Sequence, residues 1–304
     1  MSHWEFPAPG ALAEASRVDL ELIEGLPSLF LGARNEANIN PAQEGWFQYA
    51  VLRDGSIYLF WPRLFEFLVT SDGRRIYGRR LGNSAWESFH SYLFPQVLSF
   101  ALLRQGIESF HCTVLRLEQG ALGLIAPCGR GKSTLAAAFL KAGYPLLTDD
   151  LLVLKEAGGE FLAHPSFPRI KLFPRVARSL LGEDISGVPM NPHTRKLIIP
   201  LGPELYYPDP VPLKAIFVLR GKPAKSPGRR ITIRTLGPRQ AFLELVGNTF
   251  NTVVKEPPRI RRQFDLAAQL TSAVPVKSLT YPRRLARLPE VVEAVCAHLK
   301  KMAP

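Results

Sequence analysis

The chain has 304 residues, of which 46% are hydrophobic and 21% charged, so it is long enough to bury a sizeable core as one large domain or two smaller ones. Its three cysteines are odd in number and widely spaced, which argues against a disulfide framework or a zinc site and favours a reducing cytoplasm. The net charge of +12 indicates an acidic partner, but it does not choose among a nucleic acid, a nucleotide, an acidic peptide and a membrane surface.

The N-terminal region, residues 1–84, is predicted to be rich in β-hairpins. Two Asp-Gly turns, at 53–56 and 71–74, separate runs of apolar, β-branched and aromatic residues, a pattern typical of antiparallel hairpins. The predicted strands cover residues 28–33, 46–52, 57–61, 65–70 and 75–81. Residues 85–106 follow with a helical pattern, in which Pro95 predicts a kink or a break between two connecting helices.

From residue 107 onward strands alternate with helices, which predicts an α/β domain over residues 107–304. Strands are predicted as a pair around Gln119-Gly120, as a hairpin at 151–165, and at 215–220, 231–236 and 276–281. Helices are predicted at 132–142, 238–247, 259–274 and 289–302. Every apolar run is too short for a membrane span and the start of the chain has no secretory pattern, so we expect a cytoplasmic protein without a membrane partner.

Residues 126–133, APCGRGKS, match the phosphate-loop pattern G-x-x-x-x-G-K-[ST] except at the first position. Gly129 and Gly131 can take positive φ and leave the backbone open to a phosphate, and the helix that follows presents free N–H groups. Ala126 replaces the first glycine, where Pro127 favours the extended backbone of a strand end. The competing interpretation is a glycine turn before an ordinary helix. The predicted nucleotide-binding residues are Pro127, Cys128, Gly129, Arg130, Gly131, Lys132, Ser133 and Thr134.

A pair of acids follows the loop and its helix. A short apolar strand places Asp149 and Asp150 at a strand end on the same side of the sheet as the loop, where ligands bind in open α/β sheets. A carboxylate there can bind Mg²⁺ or accept a proton from an attacking hydroxyl, although an isolated Asp-Asp pair is also typical of a polar turn. His111 precedes the first strand of this unit, and its position alone indicates a structural residue.

Basic residues concentrate in two stretches, 220–234 and 259–262. Neither interleaves the exposed aromatic residues on which single-stranded nucleic acid stacks. A solvated loop and a solvated helix face are therefore predicted, and a nucleic-acid partner is disfavoured. Five further basic residues could clamp phosphate charge, and the sequence does not rank them: Arg130, Arg169, Lys171, Arg195 and Lys196.

Residues 110–154 resemble the catalytic core of the HPr kinase/phosphorylase family and its HPr-kinase-related branches. The shared order is a histidine, two strands, a glycine-rich loop ending in Gly-Lys-Ser, a helix, a glycine, and Asp-Asp before a strand. The resemblance implies an α/β P-loop core related to phosphoenolpyruvate carboxykinase, and ATP-dependent phosphorylation of a serine hydroxyl on a peptide or small protein. Without the later Leu-Glu-Ile-Arg-Gly-like motif of true HPr kinases, the chain also resembles the kinases that phosphorylate precursor peptides in lasso-peptide biosynthesis.

The same resemblance implies the residue roles. Lys132 would bind the β and γ phosphates of ATP, and Ser133 would ligate Mg²⁺ with Asp149 beside the metal or substrate. Asp150 would accept the proton and His111 would assist. ATP and Mg²⁺ are the implied cofactors, a serine-bearing peptide or protein is the implied partner, and a homo-oligomer stays open.

Three other functions are compatible with these residues. The acceptor could be the hydroxyl of a small molecule. The loop could instead serve a nucleotide-dependent switch, although the Asn-Lys-x-Asp and Leu-Ser-Gly-Gly-Gln signatures of two such classes are missing from the sequence. A nucleic-acid or interaction protein with an inert loop would leave the loop, the acids and the histidine unexplained.

Overall fold

The computed structural model describes residues 20–40, 45–220 and 230–302, which fold into a mixed α/β structure with several sheets. The helices are α1 (Pro27–Glu36), α2 (Trp86–Tyr92), α3 (Leu98–Arg104), α4 (Lys132–Lys141), α5 (Pro174–Leu181), α6 (Pro238–Gly247), α7 (Pro257–Ala273) and α8 (Leu288–Lys300). The strands are β1 (Glu21–Glu24), β2 (Gln48–Val51), β3 (Ile57–Trp61), β4 (Phe65–Val69), β5 (Arg75–Arg80), β6 (Ser109–Leu117), β7 (Gly120–Ile125), β8 (Leu146–Thr148), β9 (Leu151–Ala157), β10 (Glu160–Ala163), β11 (Arg169–Leu172), β12 (Val188–Asn191), β13 (Thr194–Pro200), β14 (Val211–Leu219), β15 (Thr232–Thr235) and β16 (Val276–Thr280). Among the described helices, none combines the length and apolarity that a bilayer crossing requires.

The first sheet has the strand order β1-β5-β4-β3-β2. Strands β2 to β5 pair as antiparallel hairpins, as predicted, whereas β1 lies parallel to β5. Strands β3 and β4 are buried on both faces, because α1 packs on one face and the α2–α3 run packs on the other. Residues 1–19 and 41–44 of the predicted β-rich region lie outside the described residues.

The strand predicted at residues 28–33 is wrong, because these residues lie in α1. Pro27 occupies the first turn of this helix, where its fixed φ is helical and its missing N–H costs no hydrogen bond. Phe30 and Ala33 are buried while Leu31 is 56% exposed, which is the spacing of a helix face and not of a strand. A short apolar run does not distinguish the two by itself.

A π-helical turn at Leu93–Val97 joins α2 to α3, so Pro95 distorts a continuous helical run and does not separate two helices. Proline has no N–H to donate to the carbonyl four residues earlier, and a wider turn accommodates its ring. Phe89 and Tyr92 of α2 pack their rings against Phe65 of β4. The helical run is thereby fixed to the first sheet.

The second sheet has the order β10-β9-β6-β7-β14-β16-β15, with β8 paired to β6. Strand β6 is antiparallel to both β7 and β8, so β7 and β8 end at the same edge. Helices α4 and α8 pack on one face and α6 and α7 on the other, which gives a three-layer arrangement. Along β14, Phe217 joins the first of these two cores, and Ile216 and Val218 join the second.

A third sheet has the order β11-β13-β12; β12 contacts α2 and β11 contacts α4. Its strands carry many polar residues, so the sequence pattern does not predict them. The amide of Asn191 on β12 donates to the hydroxyl of Tyr92 at 2.7 Å, and Arg169 on β11 donates to the carbonyl oxygen of His90 at 3.1 Å. These bonds, together with the one from the Ser88 hydroxyl to the Met190 carbonyl oxygen, hold the third sheet against α2.

The predictions for the two basic stretches, 220–234 and 259–262, compare differently with the structure. Residues 221–229, most of the predicted basic loop, lie outside the described residues. In the stretch at 259–262, the prediction of a solvated helix face is wrong for Arg259, whose side chain is 2% exposed and lies 3.2 Å from the Glu108 carboxylate. Burial raises the pKa of Glu108 and the two arginines beside it, Arg259 and Arg262, lower it; a buried carboxylate requires such a partner.

Candidate functional site

The glycine loop, residues 126–131, connects the end of β7 to the start of α4. Gly129 and Gly131 have φ values of +75° and +96°, in the left-handed region that glycine adopts without strain. A Cβ at Gly129 would have no atom within 4 Å, so this part of the loop faces open space. The loop therefore presents its backbone, and the free N–H groups of the first turn of α4, to a ligand.

Lys132 is 6% exposed, and its ammonium group donates to the Ala126 carbonyl oxygen at 2.8 Å. Burial lowers the pKa of Lys132, while Asp150 and Asp149 raise it; a buried cation is tolerated when anions lie nearby. The lysine thus holds a positive charge against the loop, next to both acids.

Asp149 follows β8 and accepts hydrogen bonds from three directions. Its donors are the Thr113 hydroxyl at 2.8 Å, the Ser133 hydroxyl at 3.1 Å and the backbone N–H of Lys171 at 3.1 Å. Burial raises the pKa of Asp149 and the neighbouring Asp150 raises it further, whereas Lys171 lowers it. The carboxylate therefore connects β6, the first turn of α4 and β11.

Asp150 has the opposite electrostatic environment, although it is the next residue. Its Oδ2 lies 2.6 Å from the Lys171 ammonium and its Oδ1 lies 3.5 Å from His111 Nε2. Burial acts to raise the pKa of Asp150, but Lys171 and then His111 hold it well below the usual range. Its φ of +82° is rare for a residue with a side chain, though Asp is among the residues that tolerate it. The left-handed backbone conformation at Asp150 directs the two adjacent carboxylates to different partners.

Lys171 is the cation that the structure singles out among the five that the sequence left unranked. Its side chain is 8% exposed, and its ammonium also lies 3.4 Å from the carbonyl oxygen of Ser91 in α2. Arg169, two residues earlier, is mostly buried, and burial lowers its pKa to about 10 despite Asp150 and Asp149. Arg195 is exposed on β13. Lys196 lies 5.7 Å from the ring centre of Phe173.

A cavity of about 90 Å³ brings most of the predicted site residues together. Its lining residues are His111, Cys128, Gly129, Arg130, Gly131, Lys132, Ser133, Thr134, Asp150, Lys171, Leu172, Phe173 and Lys196. Asp149 lies behind this lining, bonded to Ser133. Pro127 is exposed and is not among the lining residues, so the prediction that it binds the ligand has no geometric support in the described structure.

Thr113 is a site residue that the sequence argument missed. It lies two positions after His111 on β6, and residues two apart in a strand face the same side of a sheet. The period-two pattern therefore carried the signal, but a threonine within an apolar strand does not stand out. Lys171 could not be ranked from the sequence because its contacts with Asp149 and Asp150 join distant segments of the chain.

The residues at the cavity fit a magnesium ion better than a metal held by protein ligands alone. In the described ranges, no group of three or more His, Cys, Asp or Glu side chains is arranged to hold a metal. The Ser133 hydroxyl and the Asp149 carboxylate are adjacent oxygen donors, and Mg²⁺ is usually held by one or two such groups together with phosphate oxygens and water.

Comparison with protein-family models gives no match, and comparison with curated proteins also gives none. Among solved structures, the chain is similar to the HPr(Ser) kinase/phosphatase from Coxiella burnetii. The TM-score is 0.36 at 17% sequence identity, over 64% of this chain and 97% of that chain. The family assignment made from the order of motifs remains a prediction.

Proposed function

We propose that the protein is a Mg²⁺- and ATP-dependent kinase that transfers the γ-phosphoryl group to a serine hydroxyl of a peptide or small protein. One observation carries this proposal: a glycine loop with a buried lysine, a Ser133–Asp149 contact and a second, lysine-paired carboxylate all border one cavity. Phosphoryl transfer requires positioning and charge stabilisation more than covalent participation of the protein. These residues are of the types that such stabilisation needs.

The loop side of the cavity supports binding of the phosphates. The open backbone at Gly129 and the first turn of α4 offer N–H donors, and Lys132 can exchange its bond to Ala126 for one to a phosphate oxygen. Ser133 and Asp149 would hold Mg²⁺, which would offset charge on the β and γ phosphates when bound.

The opposite side of the cavity supports activation of the acceptor. With a pKa well below the usual range, Asp150 stays ionised at neutral pH and can accept a hydrogen bond from a serine hydroxyl. Such a carboxylate is a weak base, but a metaphosphate-like transition state needs the proton removed only late. Lys171 and His111 fix the orientation of this carboxylate through its two oxygens.

The mouth of the cavity favours a peptide acceptor. Phe173 lines it and is 47% exposed, and the basic residues Arg130 and Lys196 lie in the same lining. An exposed ring flanked by cations can hold an extended or acidic segment around the reacting serine. A short ribosomal precursor peptide, as implied by the lasso-type resemblance, is the acceptor class that we propose.

The test is intact-mass analysis of serine-bearing peptides and of a metabolite panel after incubation with Mg-ATP. We expect one phosphoryl group on a peptide serine, and a loss of roughly 100- to 1000-fold in rate for Lys132→Met and for Asp150→Asn. Arg75→Met, at an exposed ion pair on the first sheet, is the matched control and should keep full activity. Phosphate found solely on a metabolite would show that the acceptor is a small molecule and not a peptide. ATP hydrolysis without any phosphorylated acceptor would refute the kinase proposal.

A further inference from the structure

A second cavity, of about 210 Å³, also borders the glycine loop. One wall consists of Gly129, Arg130, Gly131 and Thr134, which also border the first cavity. The other wall is the segment after β16, whose lining residues are Tyr281, Arg283, Arg284, Leu285 and Leu288. The two walls are close, since a Cβ at Gly131 would lie 3.6 Å from the Tyr281 hydroxyl.

The two cavities differ in chemistry, and this difference indicates which end of a bound nucleotide lies in each. Lys132, Ser133 and Asp150 line the first cavity and are not among the residues that line the second. If the proposed function is correct, the reacting end of a nucleotide lies in the first cavity, beside these groups. The remainder of the nucleotide then leaves the loop on the side of the second cavity.

Arg283, a residue in the wall of the second cavity, has side-chain donors that the described part of the chain does not pair. Nε and Nη2 of Arg283 are buried, and neither has a hydrogen-bond partner within the part of the chain that the structure describes. Buried donors in native proteins are usually paired. Beside them, Leu285 and Leu288 offer apolar surface, and the ring of Tyr281 is 3% exposed.

A purine base matches this combination of groups. It is flat and apolar on its faces, and the N7 edge of adenine and of guanine offers an acceptor for an arginine N–H. Cytosine presents an amino donor on its corresponding edge. We propose that the second cavity holds the purine of the nucleotide bound at the glycine loop, with Arg283 donating to the base and Leu285 and Leu288 packing against it.

The experiment compares the binding of three ligands, Mg-ATP, Mg-CTP and magnesium tripolyphosphate, by titration calorimetry at one salt concentration. We expect the unaltered protein to bind ATP more tightly than CTP or tripolyphosphate. Arg283→Met should weaken ATP binding roughly tenfold to a hundredfold, the loss of a hydrogen bond from a charged group, and should leave tripolyphosphate binding unchanged. Arg178→Met removes an exposed cation from α5 and should change neither.

The outcomes separate this inference from the proposed function. Equal losses for ATP and tripolyphosphate in Arg283→Met would show that the arginine binds phosphate, and unchanged ATP binding would show that it binds nothing; either result overturns the purine site while the kinase proposal stands. If the unaltered protein binds neither ATP nor tripolyphosphate, the proposed function fails and the purine site fails with it. Leu285→Trp, which fills the cavity without removing a charge, should lower ATP affinity selectively and serves if Arg283→Met does not fold.

Discussion

Replacing Lys171 by methionine tests how strongly the Lys171–Asp150 pair stabilises the fold. At 2.6 Å and an effective dielectric constant near 20, the gross attraction is about 6 kcal/mol. Desolvation offsets part of this, and breaking a buried pair typically costs about 3–5 kcal/mol. Since Asp150 keeps 20% of its side chain exposed, we expect a loss near the lower end, about 3 kcal/mol in the free energy of unfolding.

The pH dependence of that loss identifies its origin. The folded pKa of Asp150 lies below its ordinary value of about 3.9. The contribution of the pair is therefore fully present above pH ~4 and is lost as the pH falls through the folded pKa. Urea denaturation of the unaltered protein and of Lys171→Met should show the full difference at pH 7 and a shrinking one below pH ~4.

Two controls complete this design. Arg75→Met breaks an ion pair whose side chains are 58% and 53% exposed, and solvent screening should make its loss far smaller than that of Lys171→Met. In a double-mutant cycle with Asp150→Asn, the two losses should be strongly non-additive, since asparagine keeps the shape of the side chain and tolerates positive φ. A loss for Lys171→Met that is additive and independent of pH would refute the ion-pair reasoning and point to packing alone.

Two further predictions follow from backbone strain and from a buried charge. Gly131→Ala places a side chain at a φ of +96° and should lower the free energy of unfolding by about 1–2 kcal/mol, measured by denaturation. It should also abolish nucleotide binding, measured by calorimetry. Gly106→Ala, at a φ of +80° away from the loop, should cost similar stability yet keep binding, and loss of binding in both variants would assign the effect to general strain. Arg259→Met leaves Glu108 buried beside one remaining arginine and should lower the free energy of unfolding by about 3 kcal/mol, whereas Arg262→Met, whose side chain is 38% exposed, should cost clearly less. Equal losses of stability for Arg259→Met and Arg262→Met, in thermal or urea unfolding, would contradict the claim that the buried arginine contributes more.

The features predicted correctly from the sequence are those with local signals. The hairpins of the first sheet have Asp-Gly turns, and the strand, glycine loop and helix that end in Lys132 and Ser133 occur consecutively in the chain. Asp149 and Asp150 follow within a single helix and strand, so their place at the same sheet edge follows from the alternation of elements. Their roles, and the division of the chain into domains, stay predictions.

The features that the sequence did not reveal depend on contacts between distant segments. Lys171 reaches Asp150 only because the fold brings β11 to the acids. Strand β11 has just four residues, RIKL, and so short an alternation does not mark a strand by itself. The sequence pattern predicts that Arg259 belongs to a solvated basic helix face, and only the fold places Glu108 against it. Arg283 likewise borders the same cavity as the glycine loop only because the fold brings the segment after β16 to that loop.

Pro95 has a consequence for Lys171, the lysine that orients Asp150. In an unbroken α-helix the amide of residue 95 would donate to the carbonyl oxygen of Ser91, but proline has no such proton, and that oxygen instead lies within reach of the Lys171 ammonium. A residue with an N–H at position 95 would place a second donor on this oxygen, which has two lone pairs, and would weaken its pull on the lysine. The missing N–H thus leaves a helix carbonyl oxygen open to a cation from another sheet, and a local defect of one helix helps to hold Lys171 beside Asp150.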